Sequence, residues 1–164
     1  MGDFMENIKP ATLLYIVKDG KILLGKKLKG FGEGFFNGVG GKFEDGENAE
    51  QAMLRETMEE IGVVPKNYSL RAKLIYNEFF KGEPVQFQTY VFVASDYDGE
   101  VVTTEEIEPY WFDMNAIPYK QMFGDDPYWL PDVLEGKKVY AEFEFDKDFK
   151  ILNYKVDFVD EIQG

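Results

Sequence analysis

Gly41-Lys42-Phe43-Glu44-Asp45-Gly46-Glu47 runs into Asn48 to Ile61 and stops at Gly62-Val63. Glycines at 38, 40 and 41 mark a loop that makes close approaches a Cβ forbids. Asn48 suits a helix N-cap, and Gln51 three residues on completes a capping-box pattern. Gly62 suits the position just past a helix end, so the spacing predicts a helix of about fourteen residues.

Turned at about 100° per residue, this helix gathers Leu54, Thr57, Met58 and Ile61 on one side. Glu56, Glu59 and Glu60 gather on the opposite side, with Arg55 at their margin. Like charges so close destabilise an isolated helix by a few tenths of a kcal/mol each. Such a ridge is either simply solvated or holds a cation, and hard ions such as Mg²⁺ bind through carboxylates plus substrate phosphates.

The whole spacing decides between these readings. Gly41, Glu47, Arg55, Glu56, Glu59, Glu60 and Gly62 at fixed offsets arise by chance on the order of once in a hundred million start positions at ordinary residue frequencies. Gly41 to Val63 is similar to the Nudix box, G-x5-E-x7-R-E-U-x-E-E-x-G-U, with Thr57 where an aliphatic residue is called for. The resemblance extends through Gly30 to Lys42, Trp111-Phe112 and Ile117 to Leu134. Those segments resemble the MutT-homologue branch that sanitises oxidised purine nucleoside triphosphates. The implied fold is the Nudix α/β/α sandwich with a central mixed β-sheet, covering nearly the whole chain from Thr12 onward.

Composition fits that reading. At 164 residues one domain spanning 1–164 is expected, with 1–9 as a loose terminal arm. The chain has no cysteine or histidine, which excludes disulfides, thiolate or imidazole zinc sites, and Ser-His-Asp or Cys-His catalysis. Any active site must run on carboxylates and a hard metal. With 31 acidic against 18 basic residues, the net charge of −13 argues against nucleic-acid polymers and anionic membranes as partners. A small phosphate substrate is compatible if cations neutralise the site. No apolar run approaches 18 residues and the N-terminus lacks the basic-then-apolar plan of a signal peptide, so a cytoplasmic enzyme is the expectation; a monomer is expected as well.

Thr12 to Val17 and Ile22 to Gly25 read as strands joined by an Asp19-Gly20 hairpin. The glycine-rich stretch Gly30 to Gly38 fits neither dinucleotide nor Walker spacing, and its aromatics suggest stacking or packing. Leu70 to Tyr76 and Gln86 to Val93 read as strands around a Lys81-Gly82-Glu83-Pro84 turn. Asp98-Gly99 reads as a turn rather than part of a calcium loop, because Ala94 stands at the first ligand position. Asp126 as N-cap with Pro127 behind it opens a helix to about Leu134. Val139 to Phe145 and Ile151 to Phe158 form a closing hairpin.

The resemblance implies hydrolysis within a triphosphate such as 8-oxo-dGTP, giving a nucleoside monophosphate and pyrophosphate with Mg²⁺, or Mn²⁺ in its place. It implies Glu56 and Glu60 as metal ligands, with Glu59, the backbone carbonyl of Gly40 and the distant Glu106 completing the set. Glu56 and Glu59 are both candidates for the general base. Glu47 and Arg55 suit a structural ion pair that fixes the loop against the helix. Lys27 suits a phosphate contact and an ordinary exposed lysine equally.

By the same resemblance, Asn37, Asp125 and Asp126 read a purine edge. Two adjacent carboxyls in an aromatic pocket do not both stay ionised, so the pair offers a donor and acceptors. The alternative is that Asp126 only caps a helix while Asp125 is solvated. Phe31, Phe87 and Phe123 are candidate walls, and Thr12 a candidate contact to sugar or base. Phe123-Gly124 stands where the branch has Trp-Pro, which leaves open another nucleoside triphosphate or a nucleoside diphosphate derivative. A non-catalytic nucleotide-binding module is a further alternative, against which the intact acidic box stands.

Overall fold

The computed structural model describes residues 2–163. Strands β1 (Ile8–Lys18) and β2 (Lys21–Lys27) form the expected hairpin, with Asp19 and Gly20 at φ of 53° and 77°. Two successive positive φ values are what a two-residue hairpin turn requires. Short β3 (Phe36–Asn37) pairs with β2. Helix α1 (Ala49–Ile61) follows, then the long hairpin of β4 (Val64–Phe80) and β5 (Glu83–Asp98). Strand β6 (Ile107–Asp113), helix α2 (Asp126–Leu134) and the hairpin β7 (Val139–Phe145) and β8 (Ile151–Phe158) complete the chain.

The strands make one eight-stranded mixed sheet in the order β3-β2-β1-β5-β4-β7-β8, with β6 also pairing with β2. The β1–β5 and β4–β7 pairs are parallel and the others antiparallel. Side chains alternate across the sheet. Leu14, Ile16, Leu23 and Phe92 pack with Met53 and Ile61 of α1 on one face. Tyr15, Leu24, Leu74, Val91 and Phe143 pack with Trp129, Leu130 and Val133 of α2 on the other. The architecture is the expected α/β/α sandwich.

Three expectations need correction. The segment before Thr12 is not a loose arm: Gly2–Glu6 is a 3₁₀ turn, and Ile8 and Lys9 pair with Gln86 and Phe87. Phe4 also packs edge-on against Phe79 at 5.4 Å, an apolar contact that the polar look of 1–9 concealed. Helix α2 has the expected span, but Asp125 is its N-cap residue, with no side-chain capping bond, and Asp126 is its first helical residue. Third, the buried face of α1 is Ala52, Met53, Thr57, Glu60 and Ile61, while Met58 is 47% exposed. The sheet therefore takes Glu60 inside and turns Met58 out, a tertiary choice that helical periodicity alone does not predict. Thr57 fits the core because its hydroxyl donates to the Met53 carbonyl at 2.7 Å.

Between β1 and β2 the sheet opens. They pair only at Ile16–Lys18 and Lys21–Leu23, and residues 36–42 fill the wedge beyond. Phe36 and Asn37 pair with β2, whereas Val39 pairs with Leu14 and Lys42 with Ala11 of β1. This segment delivers the chain to α1, whose start is fixed by the complete Asn48–Gln51 capping box at 2.8 and 3.0 Å. Replacing Asn48 with Ala is expected to cost about 1 kcal/mol, lowering Tm by roughly 2–4 °C in calorimetry; an unchanged Tm would show the cap to be idle.

Candidate active site

Gly38, Gly40 and Gly41 hold the wedge segment against its neighbours. A Cβ on Gly40 would lie 1.9 Å from the Thr12 carbonyl oxygen, and one on Gly41 would lie 2.7 Å from the Glu56 carboxyl carbon. The Gly40 N–H donates to Glu60 Oε1 at 2.8 Å. The α1 acids thus lie directly under the segment.

Arg55 organises them. Its Nε and Nη2 grip both oxygens of Glu47 at 2.7 and 3.0 Å, and Nη2 also donates to the Lys42 carbonyl at 3.0 Å. Nη1 donates to Glu56 at 3.0 Å and Glu59 at 3.1 Å. One guanidinium fork therefore ties the loop, Glu47 and two acids of the ridge together. The hydrogen bond from Arg55 holds the Glu47 carboxyl below its usual range. Burial raises the Glu56 carboxyl, against the opposing pull of Arg55. Glu60 is pushed up to about 8, chiefly by burial and then by the charges of Glu56 and Glu106, with the Gly40 N–H and Lys27 opposing.

Among the described residues no three acids already converge on one point. Glu56 and Glu59 are turned to Arg55 and Glu60 to Gly40. The donor chemistry nevertheless fits a hard divalent cation: the buried Glu60 and half-buried Glu56 carboxyls, exposed Glu106 close enough to act on both, and a glycine that leaves room for Glu56. Neither thiolate nor imidazole competes.

On the α2 face, a cleft of about 700 Å³ opens against Gly40, Gly41 and Lys42. Thr12, Phe31, Asn37, Phe87, Phe123, Asp125 and Asp126 all border it. Lys27 does not; it acts on Glu60, which puts it with the acidic ridge. Thr12 shares strand parity with Leu14 and Ile16, so its side chain belongs to the α1 face, where its hydroxyl is buried and without a partner. Phe31 stacks on Phe123 at 6.1 Å to form an aromatic wall.

Asp125 and Asp126 are only 5% and 2% exposed, so Asp125 is not solvated. Asp125 Oδ2 accepts from Tyr76 Oη at 2.6 Å and from Trp129 Nε1 at 2.9 Å. Asp126 Oδ2 has no partner. Burial raises both carboxyls, that of Asp126 further because the Asp125 charge adds to it. The two donors on Asp125 favour its ionised form, so the shared proton resides on Asp126. Asn37 spends its carbonyl on Tyr15 Oη and the Gly38 N–H, which leaves its amide N–H₂ for a ligand. Tyr76, Glu78, Phe145 and Phe149 border the same cleft and were not among the expected residues. The signal for Tyr76 and Glu78 in the sequence is the alternating row Ala72, Leu74, Tyr76, Glu78, in which an acid takes an apolar place.

A sheet sandwiched by two helices, with a carboxylate ridge on one face and a carboxyl-lined cleft on the other, defines a class of α/β/α proteins whose candidate chemistry rests on carboxylates. The particular family follows from comparison: residues 8–133 match the NUDIX domain, and the chain belongs to the Nudix hydrolases. It is 37% identical to the oxidized purine nucleoside triphosphate hydrolase of Danio rerio over 94% of this chain and 97% of that protein. The Mus musculus enzyme of the same name is 34% identical over 91% and 94%. The structure of the MutT mutator protein of Bacillus halodurans superposes with a TM-score of 0.79 at 26% identity, covering 91% of this chain and 97% of that one.

The Asp125–Asp126 pair makes stability depend on pH. Asp126 binds its proton more tightly in the folded protein than at the unfolded value near 4, so folding stability falls as pH rises above about 4, by up to about 1.4 kcal/mol per unit. Urea unfolding of Asp126→Asn at pH 5 and pH 8 is expected to show a smaller decline than the parent protein. Equal declines would mean that Asp126 titrates normally.

Proposed function

We propose that this chain is a Mg²⁺-dependent hydrolase of oxidised purine nucleoside triphosphates such as 8-oxo-dGTP, releasing the nucleoside monophosphate and pyrophosphate. The observation that carries the reading is the Gly38–Lys42 segment, which adjoins the α1 acids on one side and the base-sized cleft on the other. The names of the two relatives above support the choice of substrate.

Glu56, Glu60 and the Gly40 carbonyl would hold the cation, Mg²⁺ or Mn²⁺, with Glu59 and Glu106 contributing. A divalent cation held there supplies charge neutralisation for the polyphosphate and a lowered pKa for an attacking water. The chain's own residues do the rest. Glu56 or Glu59 takes the proton of that water as its oxygen bonds to phosphorus; a bridging P–O bond breaks and pyrophosphate leaves with the electron pair. Arg55 and Glu47 are positioning residues that set the ridge against the loop. Lys27 and Lys42 stand at the phosphate end. At the base end, Asn37 and protonated Asp126 donate, ionised Asp125 accepts, and Phe31, Phe87 and Phe123 enclose the ring. Thr12 contributes its backbone, which seats Gly41 through a 2.8 Å bond.

The protein acts as a single-domain monomer in the cytoplasm, on a free nucleotide rather than a nucleic-acid polymer or membrane. The described residues contain no helix long and apolar enough to cross a membrane, and the net charge of −13 opposes polyanion binding. One observation favours a second reading: nothing lies within 4 Å of a Cβ built on Gly124, so the cleft has room for another purine triphosphate or a larger nucleotide.

Pyrophosphate release with Mg²⁺ is expected to be faster from 8-oxo-dGTP than from dGTP and to stop on chelation. No preference for the oxidised base would remove the sanitising role while leaving the hydrolase. Glu56→Gln is expected to lower turnover on the order of a thousandfold with Tm preserved; unchanged turnover would displace Glu56 from its role.

A further inference from the structure

Strand β4 turns Ala72, Leu74 and Tyr76 to the α2 face, and alternation puts Glu78 next in that row. Across β5 the same row pairs Leu74 with Thr89, Tyr76 with Phe87 and Glu78 with Val85. The sheet therefore delivers a carboxyl where its packing calls for an apolar side chain. Glu78 borders the same cleft as Asp125, Asp126, Phe145 and Phe149. Burial and then the charge of Asp125 raise its carboxyl to about 7, and no hydrogen bond from a described residue is among the influences on it. An acid without a donor in such surroundings gains more than most groups from a ligand that brings one.

A further observation points to a ligand at this end of the cleft. Asp126, 2% exposed, has an oxygen with no partner and borders the same space. Asp125 has already taken two donors on one oxygen, from Tyr76 and Trp129. Lys42 is the one cation among the described residues bordering the cleft, and it sits at the Gly40-Gly41 end, over the Phe87 ring. Among the described residues nothing cationic borders that end of the cleft to compete for Glu78.

Resting on the nucleotide-hydrolase reading above, we propose that Glu78 is a further specificity-determining residue: its carboxyl accepts an N–H from an exocyclic amino group of the base. The cleft then reads the base with three carboxyls and selects amino-bearing purines over counterparts that lack the amino group. Guanine and adenine types carry that donor; hypoxanthine and unsubstituted purine do not.

Matched pairs test this. 8-Oxo-dGTP and 8-oxo-dITP differ only in the 2-amino group, and dATP and the triphosphate of purine deoxyriboside only in the 6-amino group. In the parent protein kcat/KM is expected to favour the amino-bearing member of at least one pair by about tenfold or more. In Glu78→Leu, which suits the apolar row, that ratio is expected to fall to within about twofold. Should the Leu variant fail to fold, Glu78→Gln, of the same shape without the charge, carries the same comparison, with the ratio lowered about threefold or more. A ratio unchanged in the folded variant, or a parent protein indifferent to the amino group in both pairs, overturns the role of Glu78 and leaves the hydrolase reading intact. A folded parent protein that hydrolyses none of the four nucleotides overturns that reading, and this one with it.

Discussion

The structure depends on one close contact, the passage of Gly40 over the backbone of β1 at Thr12. A Cβ there would overlap the Thr12 carbonyl oxygen at 1.9 Å, so no side chain fits without moving a central strand. That contact lets residues 36–42 fill the wedge where β2 leaves β1. It also brings a free backbone N–H onto Glu60, while the neighbouring Gly41, lacking a Cβ, leaves the space that the Glu56 carboxyl occupies. The sheet is thereby continuous through a segment whose two sides face different chemistries.

Electrostatics sets the second constraint. Glu60 lies in the middle of the buried face of α1, with the charges of Glu56 and Glu106 near it. Gathering acids this way is unfavourable without compensation. Arg55 compensates part of it, by tying Glu56, Glu59 and Glu47 with four charge-assisted contacts and the Lys42 carbonyl with a fifth, rather than with one exposed ion pair. The remainder is a standing demand for positive charge at a site that a cation with oxygen preference meets. At the other end, burial and mutual repulsion raise the Asp125 and Asp126 carboxyls, and a proton held on Asp126 meets the same kind of demand without a cation.

Local rules made much of this legible in the residues. The capping box at Asn48 and Gln51, Gly62 at φ 76°, the Asp19-Gly20 turn and the closing hairpin all follow from preferences that act within a few residues. The spacing of Gly41, Glu47, Arg55, Glu56, Glu59 and Glu60 carried the family. What the sequence concealed is decided by partners far along the chain. Glu60 is buried and Met58 exposed because the sheet, not the helix, chooses which face of α1 to cover. Ile8 joins the sheet because β5 extends far enough to pair with it. Asp125 is buried through Tyr76, 49 residues away, and Glu78 enters the cleft through a strand whose polar reading beyond Tyr76 hid its length.

The proposed site has two ends, the acidic ridge of α1 and the carboxyl-lined cleft, joined over Gly40 and Gly41. A crystal structure with Mg²⁺ and a slowly hydrolysed purine triphosphate tests it most directly. The account predicts cation density at Glu56, Glu60 and the Gly40 carbonyl, the base against Asn37, Asp125 and Asp126, and the phosphates along Gly40-Gly41 between them. A nucleotide seated away from that segment, or a ridge still closed onto Arg55 and free of the cation, would contradict it.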